Sequence, residues 1–534
     1  MNPVSRRTLI LFLFLCRLTG SGPAAAQTGG ALLAPDKDKE YVPPDYLRKP
    51  PAVPPGQKPP RLITLGEAIE TALRRNLDIA IARESVRQRD FAQSIALFSF
   101  EPTLQLSVNR NKSKSPPATS LDGRPGQVFP STVDAWSVRI SEQLPTATRL
   151  SLDFVNGRND SALGSAVAPL FYRSTLALTV AQPLLQGFSL NNHVQWAPVL
   201  RARFDSETAR QNARLQAITT IKATEDLYWN LVLSWKAYEV KRGAYALAEK
   251  QLELTRRQIA AGLLAQAESI RSESTLARNQ VDLLTYEAAI EDAADRLRQQ
   301  LNLPAAEWEQ PLLPLDAPSF TPVAVPFSAV WERALAARPE LHNLQTDRQR
   351  DLLALEVARN GLLPSLNLSS SLAVLGGDKD YAAALEQVGS RSGWQWTVGL
   401  DFSWQPLGIA ARAAVRSAQA GLRQDALQRE LKLTQIRTEL RLALRGLQVA
   451  ERKVYAAARS RDLAERSLEV EQRRFLNNIS DNFKVAQVQG ELEVARQAEL
   501  QALIDHEKAR SDLLRATGEL LEARNLTFEV HPGG

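Results

Sequence analysis

The sequence contains a long internal repeat, in which residues 64–109 align with residues 326–371 without a gap. In both copies a helical pattern ends at a proline, Pro102 or Pro364, and alternating apolar and polar residues follow. Helix is disfavoured before proline, and alternation of this kind is typical of a half-buried strand. The repeat therefore predicts one architecture built from two equivalent halves, each with a helix that leads into strands.

The first 26 residues have the pattern of a secretory signal peptide. Two arginines precede an apolar run that ends at Leu15, and the alanines before Gln27 offer a cleavage site. The single cysteine, Cys16, lies inside this segment. Acylation of Cys16 is the alternative, but Leu15 stands where lipoprotein processing needs a small residue. The processed chain is thus predicted to use neither disulfides nor thiol chemistry.

The composition limits the classes of protein that the rest of the chain can form. Residues 27–63 are rich in proline, which predicts an extended strap or linker. Beyond the signal peptide there is no run of about 18 apolar residues, so membrane-spanning helices are not predicted. The net charge is +6, but the basic residues are spread among 59 acidic ones. This distribution favours solvated helix surfaces over nucleic-acid binding.

Two very long helical hairpins are predicted. Mostly apolar residues recur at every seventh position in 217–259 and again in 433–475, and no proline interrupts either segment. A seven-residue repeat predicts helices that supercoil around a partner. Gly262 in the first half and residues 477–481 in the second predict one turn each, after which a return helix follows.

The material between the helices has the pattern of outer-membrane strands. In 394–405 every even position is apolar and every odd position is polar or glycine, with tryptophan at both ends of the apolar row. Lipid outside and water inside a barrel favour this pattern, although a soluble sheet also alternates. Shorter alternating segments lie at 104–108, 136–140, 150–154, 176–180 and 366–374. Because hydrocarbon tolerates no unpaired sheet edge and one chain offers too few strands for a wide pore, several copies are expected to close one barrel.

In this order, and present twice, these motifs resemble those of the TolC-like outer-membrane efflux proteins. The resemblance rests on the helix start at 65–69, the junctions at Pro102 and Pro364, and the strand-to-helix junctions at 182–185 and 405–407. It implies a mostly α-helical homotrimer in the outer membrane, with a 12-stranded β-barrel and a long α-helical barrel that crosses the periplasm. It also implies a passive exit duct, for efflux or type I secretion, that binds a periplasmic adaptor and an inner-membrane pump.

The resemblance also implies a division of the chain into segments. These are a signal peptide (1–26), a Pro-rich strap (27–63), a first α-barrel helix (64–102), first strands (103–183), a first long hairpin (184–303), a linker (304–326), a second α-barrel helix (327–364), second strands (365–405), a second long hairpin (406–520) and a C-terminal tail (521–534). Residues 135–156 form a hairpin-like piece beyond the family pattern, as a rim hairpin or as part of a wider barrel.

The resemblance places a closed periplasmic entrance at the two hairpin turns. The candidate gate residues there are Glu268, Asp481, Lys484 and Gln487. In three copies Lys484 forms a ring of positive charge, and a contact between Glu268 and Lys484 is expected to act as a latch. The alternative is that these are ordinary solvated residues, because exposed ion pairs contribute only about 0–1 kcal/mol.

Strand alternation assigns two further sets of side chains. The candidates for the barrel lumen are Arg139, Asp153 and Asp401. They either tune permeation or simply hydrate the lumen, which is polar in such barrels. The candidates for the lipid-facing aromatic girdle are Trp136, Trp394, Trp396, Phe402 and Trp404.

No catalytic, cofactor or metal site is predicted. The four histidines are scattered without a partner at metal-ligand spacing, and no phosphate-binding loop or nucleophile elbow occurs. Two other classes of protein stay open, a periplasmic coiled-coil adaptor and a soluble coiled-coil scaffold. An adaptor should have one helical hairpin rather than two, and a soluble scaffold gives no reason for three tryptophans on one strand face.

Overall fold

The computed structural model describes residues 41, 43–48, 60–116, 126–161, 169–262, 264–477 and 479–528. The predicted signal peptide with Cys16, most of the predicted strap and the last residues of the predicted tail lie outside these ranges. Twelve α-helices occur in the described part of the chain. They are α1 (Asp45–Arg48), α2 (Leu65–Arg75), α3 (Leu77–Leu97), α4 (Ala197–Ala260), α5 (Ala267–Leu301), α6 (Ala305–Trp308), α7 (Phe327–Ala337), α8 (Pro339–Asn360), α9 (Tyr381–Ser390), α10 (Ile409–Leu476), α11 (Asn482–Thr517) and α12 (Leu520–Ala523).

Eight strands accompany these helices in the same ranges. They are β1 (Arg61–Ile63), β2 (Thr103–Ser115), β3 (Phe129–Gln143), β4 (Arg149–Ser161), β5 (Leu170–Pro183), β6 (Leu312–Pro314), β7 (Ser365–Asp378) and β8 (Gly393–Ser403). The protein is therefore mostly helical with a sheet, as the sequence predicts. None of the described helices is long and apolar enough to span a membrane.

The two halves have matching helices. In the first half α2, α3, α4 and α5 contain 11, 21, 64 and 35 residues, and in the second α7, α8, α10 and α11 contain 11, 22, 68 and 36. At 1.5 Å per residue, α4 and α10 are each about 100 Å long. Only a repeated sequence gives such equality, because each helix ends where its own capping residues and prolines stand.

The first helix of each half is broken in two, which corrects the prediction of single helices over 64–102 and 327–364. Asn76 adopts an extended conformation, and its side-chain oxygen accepts hydrogen bonds from the amides of Asp78 and Ile79. It thereby ends α2 and caps α3. At the equivalent place Pro339 opens α8 and holds Arg338 in an extended conformation.

The predicted seven-residue seam forms the core between the long helices. On α4 the seam residues Ala217 and Leu231 are fully buried, and on α10 the same is true of Leu440 and Val454. The helices nearest the sheet stand in the order α3–α4–α8–α10, and the order at the far end is α5–α4–α11–α10. Four helices thus lie side by side at each level, because the return helices replace the shorter ones.

A short parallel pair joins the two halves at mid-height. Strand β1 pairs with β6, so that Leu62 lies opposite Leu313. Trp235 on α4 donates its indole N–H to the carbonyl of Leu312 at 2.9 Å. The predicted strap and linker therefore contribute residues 61–63 and 312–314 to a sheet that ties the linker to the longest helix of the first half.

His506 on α11 is a buried histidine whose ring nitrogens have no hydrogen-bond partner in the described chain. Its ring packs on Phe320 with the centroids 4.9 Å apart. Burial lowers the pKa of His506, while the nearby Glu507 and Glu451 raise it and Arg510 lowers it, and the net shift is downward. The folded protein therefore holds a neutral imidazole where the unfolded chain holds one that titrates at its ordinary pKa.

We expect acid to destabilise the protein through His506. The unfolded chain takes up the proton at a higher pH, so stability is complete above about pH 6.5 and is lost as the pH falls toward the depressed folded pKa. Replacement by leucine (His506→Leu) should flatten the change in thermal midpoint between pH 7.5 and pH 5.5. The exposed His342, replaced by glutamine, is the control. Equal pH slopes for all three proteins would contradict this prediction.

The six long strands form one antiparallel sheet in the order β2-β3-β4-β5-β7-β8. Residues 135–156 are central to it, because β3 and β4 pair along their full length with β2 and β5. This corrects the prediction of a 12-stranded barrel from three chains, which requires four strands per chain. The additional hairpin has the same apolar and polar alternation as its neighbours, and it therefore joins the sheet.

Candidate functional site

The register of the sheet divides it into an apolar face and a polar face. One cross-strand row consists of the apolar residues Leu106, Val138, Phe154, Leu176, Val374 and Trp394, one from each strand. The next row of the opposite face consists of Gln105, Arg139, Asp153, Ala177, Ala373 and Gln395. Because side chains alternate along a strand, this division extends over the whole sheet.

The predicted aromatic girdle lies on the apolar face of β8 and just beyond its end. Trp394 and Trp396 are each 64% exposed, Phe402 is 63% exposed and Trp404 is 59% exposed. From Trp394 to Trp404 the chain covers about 34 Å, or about 25 Å in height at a tilt of about 40°. That is the height of the apolar band that outer-membrane barrels present to lipid.

Trp136 lies on the same face but is partly covered. Its ring packs against Tyr381 of α9 with the centroids 5.4 Å apart, and Tyr381 also contacts Tyr172. Helix α9 lies so close to β7 that a side chain at Gly376 would meet the carbonyl oxygen of Ala384 at 1.9 Å. Sequence analysis does not predict α9, which occupies residues inside the predicted second set of strands.

A charged row borders the apolar band at the end of the sheet that is far from the long helices. Arg110 donates two hydrogen bonds to Asp134, at 2.5 Å and 2.9 Å, and Arg158 lies 3.6 Å from the same carboxylate. These residues stand on β2, β3 and β4 in direct register. A row of paired charges marks where the apolar band ends.

The predicted lumen residues all lie on the polar face. Arg139 and Asp153 are opposite each other on β3 and β4 and form an ion pair. Asp401 is on β8, opposite Asn367. The structure thus brings two of the three together, and Asp401 is separated from them by the strands between β4 and β8.

The predicted gate residues lie at the turns of the two helical hairpins. Asp481 caps α11 by accepting a hydrogen bond from the amide of Lys484 at 2.7 Å. Glu268 and Gln487 line the same groove, which has a volume of about 630 Å³. Glu268 pairs with Arg271 at 3.2 Å, and in the described residues no ion pair joins it to Lys484. The predicted Glu268–Lys484 latch is therefore wrong, because Arg271 on the same helix neutralises Glu268.

A buried amide connects the hairpins instead. The side chain of Asn482 accepts a hydrogen bond from Gln251 on α4 at 2.8 Å and donates one to the hydroxyl of Ser272 on α5 at 2.7 Å. Asn482 is 7% exposed and Ser272 is 6% exposed. Sequence reasoning missed these residues, since an asparagine at the start of a helix is read as a local capping residue and nothing in the sequence reveals a partner on another hairpin.

Lys241 on α4 makes a second connection between the same three helices. Its ammonium lies 2.9 Å from Asp282 on α5 and also pairs with Glu493 on α11. Burial lowers the pKa of Lys241, but the hydrogen bonds to Glu493 and Asp282 outweigh it, so the pKa is raised. The lysine is therefore charged at neutral pH and holds two acidic helices against α4.

The site carries no sign of metal chemistry. In the ranges that the structure describes, no group of three or more His, Cys, Asp or Glu side chains is placed to hold a metal ion. The features that stand out are a two-faced sheet and a hydrogen-bonded closure of the helical tips. Both are features of a channel rather than of a catalytic centre.

Comparison with known proteins agrees with this geometry. Residues 330–519 match the family model described as Outer membrane efflux protein. This part of the chain is an outer membrane efflux protein domain. The match confirms the predicted resemblance, and with it the location in the outer membrane with an extension into the periplasm. No curated protein matches the chain.

Solved channel structures share the fold of this efflux protein over most of its length. The CmeC outer membrane channel of Campylobacter jejuni is 15% identical, with a TM-score of 0.62 and 85% of this chain and 86% of that chain covered. VceC of Vibrio cholerae is 14% identical, with a TM-score of 0.61 and 85% and 96% covered. MtrE of Neisseria gonorrhoeae is 15% identical, with a TM-score of 0.60 and 86% and 89% covered. At these identities the likeness establishes the fold.

Proposed function

We propose that the protein is a passive exit duct. Three copies close their sheets into one barrel in the outer membrane, and their long helices form a tunnel through the periplasm. The observation that carries this proposal is the two-faced sheet, with an exposed aromatic band on one side and paired charges on the other. Such a sheet is stable when lipid covers the first face and water the second.

The partners follow from this arrangement. A duct without a nucleotide site draws its energy from elsewhere, so we propose an inner-membrane pump as the source. A periplasmic adaptor would join the pump to the groove at the helical tips, where Glu268, Gln487 and Phe483 are found. The alternative of a periplasmic adaptor for this chain itself has less support, because the chain contains two long hairpins and a lipid-patterned sheet.

Reconstitution in a planar bilayer tests the proposal. The purified protein should form ohmic channels without any added nucleotide, because a passive duct needs no energy source. Lys484 is exposed at the tips, and its replacement by glutamine (Lys484→Gln) should raise the preference for cations, since a ring of positive charge is removed. Replacement of the distant Lys432 by glutamine is the control. Absence of any channel would refute the duct, and unchanged selectivity would remove Lys484 from the gate.

A further inference from the structure

The β-sheet is wider than the resemblance implies, and its width matches that of the helices beneath it. Six strands spaced about 4.8 Å apart at a tilt of about 40° cover an arc of about 38 Å, while four strands cover about 25 Å. Four helices side by side, at about 8–10 Å between axes, cover about 32–40 Å. One chain with six strands and four helices thus has the same circumference at both levels.

The additional hairpin has the properties of barrel wall. All 13 residues of β2 pair with β3, and β4 pairs with β5 over 12 residues, as many as in the pairing of β5 with β7. Val138, Ile140 and Leu152 continue the exposed apolar face, and Arg139 with Asp153 continues the polar face. A rim hairpin would need neither the full length nor the two-faced pattern.

We propose that the copies pair the edge of β8 with the edge of β2 of the next copy and close an 18-stranded barrel with an unusually wide outlet. This inference rests on the proposed trimeric duct. Strands β2 and β8 are the edges of the sheet, and their free backbone groups need partners in lipid. Three sheets of six strands give a backbone diameter of about 36 Å, against about 24 Å for 12 strands.

The wide outlet sets the class of cargo. If inward side chains occupy about 5 Å on each side, the water-filled bore is about 26 Å for 18 strands and about 14 Å for 12. The barrel then continues the helical tunnel without narrowing, so cargo that fills the tunnel can leave. The duct therefore passes solutes between about 14 Å and 26 Å across, which a 12-stranded outlet excludes.

Counting strands tests the inference directly. Electron cryomicroscopy of the full protein in lipid nanodiscs should show a closed ring of 18 strands, with native mass spectrometry reporting three copies. A ring of 12 strands, whether from two copies or from three, would overturn the wide barrel. A species that is not inserted in lipid would instead refute the proposed duct, so the two failures are distinguishable.

A single-cysteine variant tests the width of the bore. The processed sequence is predicted to have no cysteine, and Thr397 is exposed on the polar face of β8. In Thr397→Cys, a maleimide on a rigid probe about 20 Å across should react from the outer side, because a bore of about 26 Å admits it. Val398→Cys, on the apolar face, should react with neither this probe nor a small water-soluble maleimide. Exclusion of the large probe from position 397, while a small maleimide reacts, would contradict the proposal.

Removal of the hairpin supplies the matched comparison. Deletion of residues 126–161 in the Thr397→Cys protein leaves β2 and β5 as neighbours, since both strands end at the same side of the sheet. The deletion should lower the strand count to 12 and exclude the large probe while the small maleimide still reacts. The double variant Arg139→Gln, Asp153→Asn keeps all strands and should admit both probes. If the deletion protein does not fold, the strand count of the full protein still decides.

Discussion

Replacement of Leu400 by arginine is expected to prevent assembly of the protein in the outer membrane. Leu400 lies on the apolar face of β8 opposite Leu368 and is 63% exposed. An arginine on the lipid face near the middle of the bilayer costs about 2–4 kcal/mol, and three copies multiply the loss to about 6–12 kcal/mol. The measurement is the fraction of heat-resistant oligomer in purified outer membranes, which should fall at least tenfold.

The matched control uses the other face of the same strand. Thr397 is also exposed, but it lies on the polar face opposite Ser371. Thr397→Arg should assemble as well as the unchanged protein, because its side chain enters water. If both variants assembled equally, or both failed equally, the assignment of lipid to the tryptophan face would be wrong.

Replacement of Asn482 by alanine is expected to open the periplasmic tips. The change leaves Gln251 and Ser272 without their partner on α11 in a buried place. An unsatisfied buried polar group costs about 1–3 kcal/mol, so the closed state of three copies loses about 3–9 kcal/mol. The open probability in bilayer recordings should rise by two orders of magnitude or more, since each 1.4 kcal/mol is a factor of about ten.

The control for this variant lies on the same groove. Ser274 is exposed on α5, close to Ser272, and its replacement by alanine (Ser274→Ala) should leave the open probability unchanged. A rise in both variants would indicate that the tips are destabilised unspecifically. An open probability that stays low in Asn482→Ala would show that Lys241, rather than the amide, holds the hairpins together.

Local patterns predicted the elements and the faces of this protein. The proline junctions at Pro102 and Pro364 place the helix-to-strand changes, because proline restricts the residue before it in any context. The seven-residue seam identifies Leu440 and Val454 as core, since one face of a helix is fixed by spacing alone. Alternation separates Trp394 from Gln395 for the same reason. These are properties of a few neighbouring residues, and the sequence displays them.

Contacts between distant segments were not predictable in this way. The sequence does not show that Asn482 bonds to Gln251 and Ser272, that Arg271 takes Glu268 away from Lys484, or that α9 covers Trp136. Each depends on which helices and strands become neighbours over separations of up to 245 residues, and many partners are compatible with the same local pattern.

The sequence by itself determined the duplicated plan, the long helices and the two-faced strands, because periodicity and proline act locally. Only the tertiary structure decided how many strands one sheet contains and which side chains join the helical tips. Strand pairing and buried hydrogen bonds depend on backbone register and distance, which the folded chain sets as a whole.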